Sequence, residues 1–209
     1  MSADPVTVAM PHPLPVEDSV RADLYALVAR LFAAPPDGTF LATLAAAPEL
    51  PDDPGAPLAA PYNALLRASR AMDAAAAEQE YTDLFIGVGK SDVNLHASHW
   101  LSGFMIDKPL AELRAVLAGL GLERREAATM LEDHLAAVAE TMRLLVAGGD
   151  GRPPSPLDVQ RAFFDAWIAS WAFGCCGAIS GSPLANYYRP AAEFTKAFLA
   201  IERDSFAMA

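Results

Sequence analysis

At 209 residues, with 53% hydrophobic and 20% charged content, the chain carries enough apolar material for a buried core, which excludes disorder of the whole chain. Its 26 acidic residues outnumber 15 lysines and arginines, for a net charge of -11 and a pI near 4.7. Such a surface repels nucleic acid and anionic membrane and favours basic partners such as basic peptides, although acidity also serves plain solubility.

The first fifteen residues hold four prolines and read as a flexible arm reaching to about residue 17, with neither the basic start nor the apolar run of a secretory signal. Asp18 or Ser19 is placed to cap a helix whose apolar positions Val20, Leu24, Leu27, Val28, Leu31 and Phe32 trace one face. Pro35, Pro36 and Gly38 end it, and a short helix is predicted over 39–46. Residues 48–61 contain five prolines and a glycine and read as a linker. Tyr62 to Phe85 has the composition of one or two helices. An alanine-rich stretch from Ala71 to Ala77 runs into Glu80-Tyr81-Thr82-Asp83-Leu84-Phe85, with Tyr81, Leu84 and Phe85 on one helical face. Gly87-Val88-Gly89 stops that helix, and a polar loop leads to His96, His99 and Trp100.

Pro109 opens the next helix, with a stripe of Leu110, Leu113 and Leu117 before Gly119 and Gly121. The spacing of Leu131, Leu135, Val138, Met142 and Leu145 predicts an amphipathic helix over 125–147, with Asp133 and His134 inside it beside the apolar stripe. Residues 148–156, with three glycines and three prolines, read as a hinge-like linker. Leu157 to Cys176 is predicted helical, with Phe163, Phe164, Trp167, Ile168 and Trp171 on a broad face, and a last helix starts near Asn186. The adjacent Cys175 and Cys176 suit reduced thiols packed in a helix and a reducing compartment. The uncharged run Ala166 to Tyr188 is too interrupted by glycine, proline and polar residues for a membrane span, so the expected location is the cytoplasm. No segment alternates with the period of a strand. The expectation is an all-α, single-domain bundle of seven to nine helices over 18–209.

Few constellations carry chemistry. Gly89-Lys90-Ser91 ends like a phosphate-binding loop, but Leu84 stands where that motif needs its first glycine; only weak GTP binding by another geometry stays open. His96 and His99 lack further ligands at zinc spacing, Gly-x-Ser-x-Gly is absent, and Ser98 points away from the adjacent His99 on a helix, so neither a metal nor catalytic residues are expected. Asp133-His134 reads either as an ordinary boundary pair or as a polar lip on an apolar groove that holds a basic group.

Arg21-x-x-x-Tyr25-x-Leu27, Leu31-Phe32-x-x-Pro35-Pro36-Asp37, Glu80-Tyr81-x-x-Leu84-Phe85, Glu132-Asp133-His134-Leu135, Gln160-Arg161-x-Phe163-Phe164 and the ending Tyr187-Tyr188-Arg189 to Phe198-Leu199 resemble, in order, the TorD/DmsD/NarJ family of redox-enzyme maturation chaperones. The resemblance implies a cytoplasmic, all-helical, non-enzymatic chaperone that binds the twin-arginine signal peptide and apo-form of a molybdopterin-containing oxidoreductase until its cofactor is inserted. It implies peptide contacts at Tyr81, Leu84, Phe85, Ser98, Trp100, Asp133 and His134. No cofactor is required, contact with GTP or the molybdenum cofactor stays open, and the chain acts as a monomer or a domain-swapped dimer. The run Lys108-Pro109-Leu110-Ala111-Glu112-Leu113-Arg114 is similar to members associated with formate dehydrogenases. Two rivals stand beside this reading: a NarJ-like assembly factor for a client that is not exported, and a nucleotide-dependent enzyme or switch. The family's usual proline and tyrosine around Ser98 are absent, and Trp167 replaces a histidine common in the Phe163-Phe164 helix.

Overall fold

Proline and glycine punctuation, with apolar residues at helical spacing between, cuts this chain into helices. The computed structural model describes residues 14–51, 53, 55–87, 89–124, 129–149 and 151–208. Among them lie α1 (Val16–Ala33), α2 (Gly38–Ala46), α3 (Ala59–Ala71), α4 (Ala74–Tyr81), α5 (Ala97–Ser102), α6 (Lys108–Gly119), α7 (Leu135–Ala147), α8 (Leu157–Phe164), α9 (Ala172–Gly181) and α10 (Tyr188–Met208). Counting Leu157–Gly181 as one interrupted run, the described residues form nine helices and no strand, an all-α fold.

Caps decide several boundaries. α1 starts at Val16 on Pro15, so Val16 and Glu17 leave the arm, whose residues 1–13 lie outside the described residues. Asp37 accepts from the Phe40 N–H to start α2. Asp73 accepts from the Ala76 N–H, so the alanine-rich stretch divides: Ala71 ends α3, and α4 begins at Ala74. After α4 the chain widens into a π turn over Thr82–Ile86 and ends at Gly87, whose φ of 64° puts any Cβ against the Lys90 carbonyl. Val88 of the Gly87-Val88-Gly89 stop, like residues 125–128, lies outside the described residues.

One sequence expectation needs correction. The helix predicted over 125–147 begins only at Leu135. Extended backbone at His134 lets this segment pair with residues 95–97, and that tertiary pairing overrides the apolar period running back through Leu131. Within the 148–156 linker, Ser155 N–H donates to the Leu145 carbonyl at 2.8 Å, and the Arg152 guanidinium donates to the Leu120 and Gly121 carbonyls.

α1 lies against α7, while α10 packs on α9 and α3. Tyr25, Phe32, Phe164, Tyr187, Tyr188, Phe194 and Phe198 are all fully buried in one apolar cluster. The run Leu157–Gly181 is long and apolar enough to cross a membrane by length and composition, against the sequence expectation, yet half of its apolar window is buried inside the fold. Its aromatic face, Phe163 through Trp171, points into that core. A π turn at Asp165–Ala169 and a break at Ser170–Trp171 also interrupt it.

Two buried carboxylates tie distant parts together. Glu202 of α10 takes both arms of the Arg21 guanidinium at 2.9 Å and the Tyr25 hydroxyl at 2.9 Å, joining the two ends of the chain. Glu80 accepts the N–H groups of Asn186 at 2.8 Å, Tyr187 at 2.9 Å and Tyr188 at 2.8 Å, so a residue of α4 caps α10 from 108 positions away. A glutamine there keeps one acceptor oxygen and turns an amide NH2 toward amide donors. Glu80→Gln should lower stability by about 2–4 kcal/mol, read as a lower urea midpoint; an unchanged midpoint would show that the cap is dispensable.

Candidate functional site

The segment that enters α5 is extended and crosses the start of α7. Ala97 N–H donates to the Asp133 carbonyl at 2.9 Å, and Leu135 N–H donates to the Leu95 carbonyl at 2.8 Å. These bonds place His96 opposite His134, with ring centroids 4.9 Å apart and edge to face. Asp133 Oδ2 then accepts from Ser98 N–H at 3.0 Å and from Ser98 Oγ–H at 2.5 Å. Its other oxygen is buried with no hydrogen-bond partner among the described residues. His134 Nδ1 accepts from the Ala136 N–H at 3.1 Å and caps α7, which fixes the neutral ring with its proton on Nε2.

Burial is the main reason this ring stays neutral. With the neighbouring His96 it lowers the His134 pKa from 6.5 to about 3. Burial likewise lowers the His96 pKa, against the pull of the Asp133 charge.

The seven residues expected to touch a peptide therefore fall into two groups. Ser98, Asp133 and His134 come together, yet all three are buried, so the polar-lip reading of the Asp-His pair is corrected: its carboxylate grips α5 and does not face solvent. Trp100, on the same helix, is half-buried; its indole N–H donates to the Asn94 carbonyl at 2.7 Å, and its ring lies over Gly174. Tyr81, Leu84 and Phe85 belong to a separate aromatic cluster, in which Phe85 meets Tyr188 at 4.9 Å and Tyr81 at 5.1 Å. Leu84 is fully buried, Tyr81 nearly so, and Phe85 half-buried. Val93 N–H, donating to the Leu84 carbonyl at 2.9 Å, links the two groups.

Two cavities were not legible in the sequence. One, of about 490 Å³, lies between α1 and α7, with Ala26, Ala29, Ala136 and Ala137 among its lining and Glu123, Arg124 and Glu132 among its charges. Alanines at i and i+3 on α1 were the available signal, but small residues on a helix carry no direction by themselves. The other, of about 550 Å³, is lined by Thr82, Asp83, Gly87, Lys90, Ser91, Asp92 and Leu184. Asp83 of the π turn and Asp92 just after the loop considered for nucleotide oppose a phosphate there.

Nor do the described residues offer a nucleophile. The Ser98 hydroxyl is donated to Asp133, and burial pushes the Cys175 thiol up and the Cys176 thiol up to about 12. Both cysteines are free. Among the described residues no group of three or more His, Cys, Asp or Glu side chains is placed to hold a metal.

Asp133→Ala leaves two buried Ser98 donors without an acceptor and should cost about 2–4 kcal/mol, measured by urea unfolding; stability within 0.5 kcal/mol of the parent chain, roughly the range of a neutral surface change, would return the residue to a surface role. For His134, the unfolded ring takes up a proton near pH 6.5 and the folded ring only near pH 3. Its stabilising contribution is complete above the first value and lost as pH falls toward the second, by at most about 1.4 kcal/mol per pH unit. His134→Asn keeps a capping side chain without the titration. Thermal melts across this window should show a shallower acid loss than in the parent chain, and identical slopes would contradict the assignment.

A family model described as nitrate reductase delta subunit matches residues 52–177. No curated protein matches the chain. The matched residues include Glu80, α5, the Ser98–Asp133 pair and Gln160 through Phe164, so the geometry just described lies inside the region of likeness. The chain belongs to the nitrate reductase delta subunit family, the NarJ/TorD-like chaperones of molybdoenzyme maturation.

Proposed function

We propose that this chain is a cytoplasmic chaperone that binds the twin-arginine leader and the apo-form of a molybdopterin-containing oxidoreductase, of the formate dehydrogenase class, until the cofactor is inserted. The observation that carries this reading is the buried Ser98–Asp133 clamp, which holds α5 rigidly while Trp100 stays partly open to solvent. In this reading Phe85 and Trp100 touch the leader. Ser98, Asp133 and His134 hold α5 in place, and Tyr81 and Leu84 support Phe85. The net charge of -11 draws in a basic leader.

The protein acts by binding and not by catalysis, and leader binding needs no cofactor. The groove between α1 and α7 receives apolar side chains of the client body. Its rim charges are largely matched within the fold: Glu132 lies by Arg114 and Arg124, Arg30 by Asp37, and Glu140 by Arg143. The fastened 148–156 loop favours a monomer over a domain-swapped dimer. A second reading, an assembly factor for a client that is not exported, is favoured by the description of the matching family as nitrate reductase delta subunit.

Calorimetric titration with the leader of the nearest molybdoenzyme, beside a version with both arginines changed to lysine, tests the proposal. Binding at about 1 μM (about -8 kcal/mol) that weakens in the lysine version is the expected result. Absence of binding to either peptide would remove the leader and leave the client body as the ligand.

A further inference from the structure

The C-terminal end of α5 runs into the largest run of exposed apolar side chains in this part of the molecule. Leu101 is 41% exposed, Phe104 71%, Met105 40% and Ile106 69%. Water-facing apolar residues this dense mark a contact surface more often than chance. Ile106 also has φ at 53°, a left-handed conformation that a β-branched residue adopts only under strain. Neither feature serves the core.

The loop is nevertheless held. Gly103 ends α5 in the left-handed region, with its N–H on the His99 carbonyl at 2.9 Å. Ser102 Oγ lies 3.4 Å from both the Phe104 N–H and its carbonyl, and the Asn94 side-chain amide donates to Met105 Sδ at 3.3 Å. The Ser98–Asp133 clamp and the Trp100–Asn94 bond fix the other end of the same helix. A braced loop on an anchored helix presents its apolar side chains at small entropic cost to a partner.

The chemistry of the surroundings selects that partner. Asn94 touches both Met105 and Trp100, and Asp92 is two residues upstream, within about 7 Å along the chain. Asp92 and Asp83 line the 550 Å³ pocket described above, with Lys90 as the one cationic residue among its described lining. An acidic pocket beside an apolar ledge matches a peptide that is cationic at one end and apolar in the next stretch. A net charge of -11 opposes both an anionic membrane and a second copy of this chain.

We propose that Leu101, Phe104, Met105 and Ile106 form the seat for the apolar stretch of a basic, apolar peptide, whose cationic end lies against Asp83 and Asp92. This assignment rests on the leader reading above and locates the leader on the protein, beyond the residues that the sequence pointed to.

The test is fluorescence anisotropy on the full chain with a labelled synthetic peptide, an arginine pair followed by a leucine and alanine stretch. The double substitution Phe104→Ser, Ile106→Ser should weaken binding by about tenfold or more at every salt concentration, with helical circular dichroism and urea midpoint unchanged because both side chains face solvent. Asp83→Asn with Asp92→Asn should weaken binding at low salt only and flatten its salt dependence. If the parent chain binds and the Phe104/Ile106 variant binds equally well, the seat lies elsewhere and the leader reading stands. If the parent chain does not bind the peptide, both fall. Loss in the same variant of binding to phosphatidylglycerol vesicles, or of self-association in sedimentation, with peptide affinity intact, would assign the loop to a membrane or to a second copy and overturn the peptide proposal.

Discussion

One carboxylate holds the middle of the chain and its last helix in register. Glu80 accepts three successive amides where α10 starts, so α4 and the final helix cannot shift relative to each other without leaving buried donors unpaired. The residues around it depend on that register. Tyr188, the first residue of α10, becomes the centre of an aromatic cluster with Phe32, Tyr81 and Phe85 because its backbone is pinned by Glu80. Arg21 and Glu202 close the other end of the same helix against α1. Long-range side-chain contacts therefore set the orientation of helices whose loops are themselves rich in glycine and proline.

A second carboxylate, Asp133, does for α5 what Glu80 does for α10. Its backbone carbonyl and its side chain both receive donors from residues 97 and 98, so a helix of only six residues becomes a fixed part of the surface. A helix that short has little stability of its own in water. The Asp-His pair thus works through position: His134 starts α7, Asp133 anchors α5, and what meets solvent lies on α5 and just beyond it. Ser98, Asp133 and His134, expected at a ligand contact, are buried and hold neighbouring backbone instead.

The helices were legible where local chemistry and the apolar period agree. The stripe Leu110, Leu113 and Leu117 and the buried face of Phe163 through Trp171 are present as the spacing requires, whereas the cap expected of Asp18 or Ser19 is not made, because α1 starts earlier, on Pro15. The fold class and the family were legible too, since short matches in fixed order, Glu80 through Phe85 and Glu132 through Leu135 among them, fall within the matched region. The start of α7 was not. A helical period continues through Leu131, and only the pairing of residues 95–97 with 133–135 ends it. The candidate site suffered from the same error, because placing Asp133 inside a half-exposed helix turns its carboxylate toward water.

The sequence by itself determined that the chain is helical, acidic and without a strand-forming pattern, and it determined the family, because composition, caps and motif order are properties read along the chain. Tertiary structure alone decided which of the named residues are buried and which stay exposed. Exposure depends on what packs over a side chain from elsewhere: Ser98 is covered by Asp133 from 35 residues away, whereas Phe104 and Ile106 stay largely open among the described residues. A one-dimensional period can say that a residue lies on the apolar or the polar side of its own helix, but not which other helix or loop will cover it.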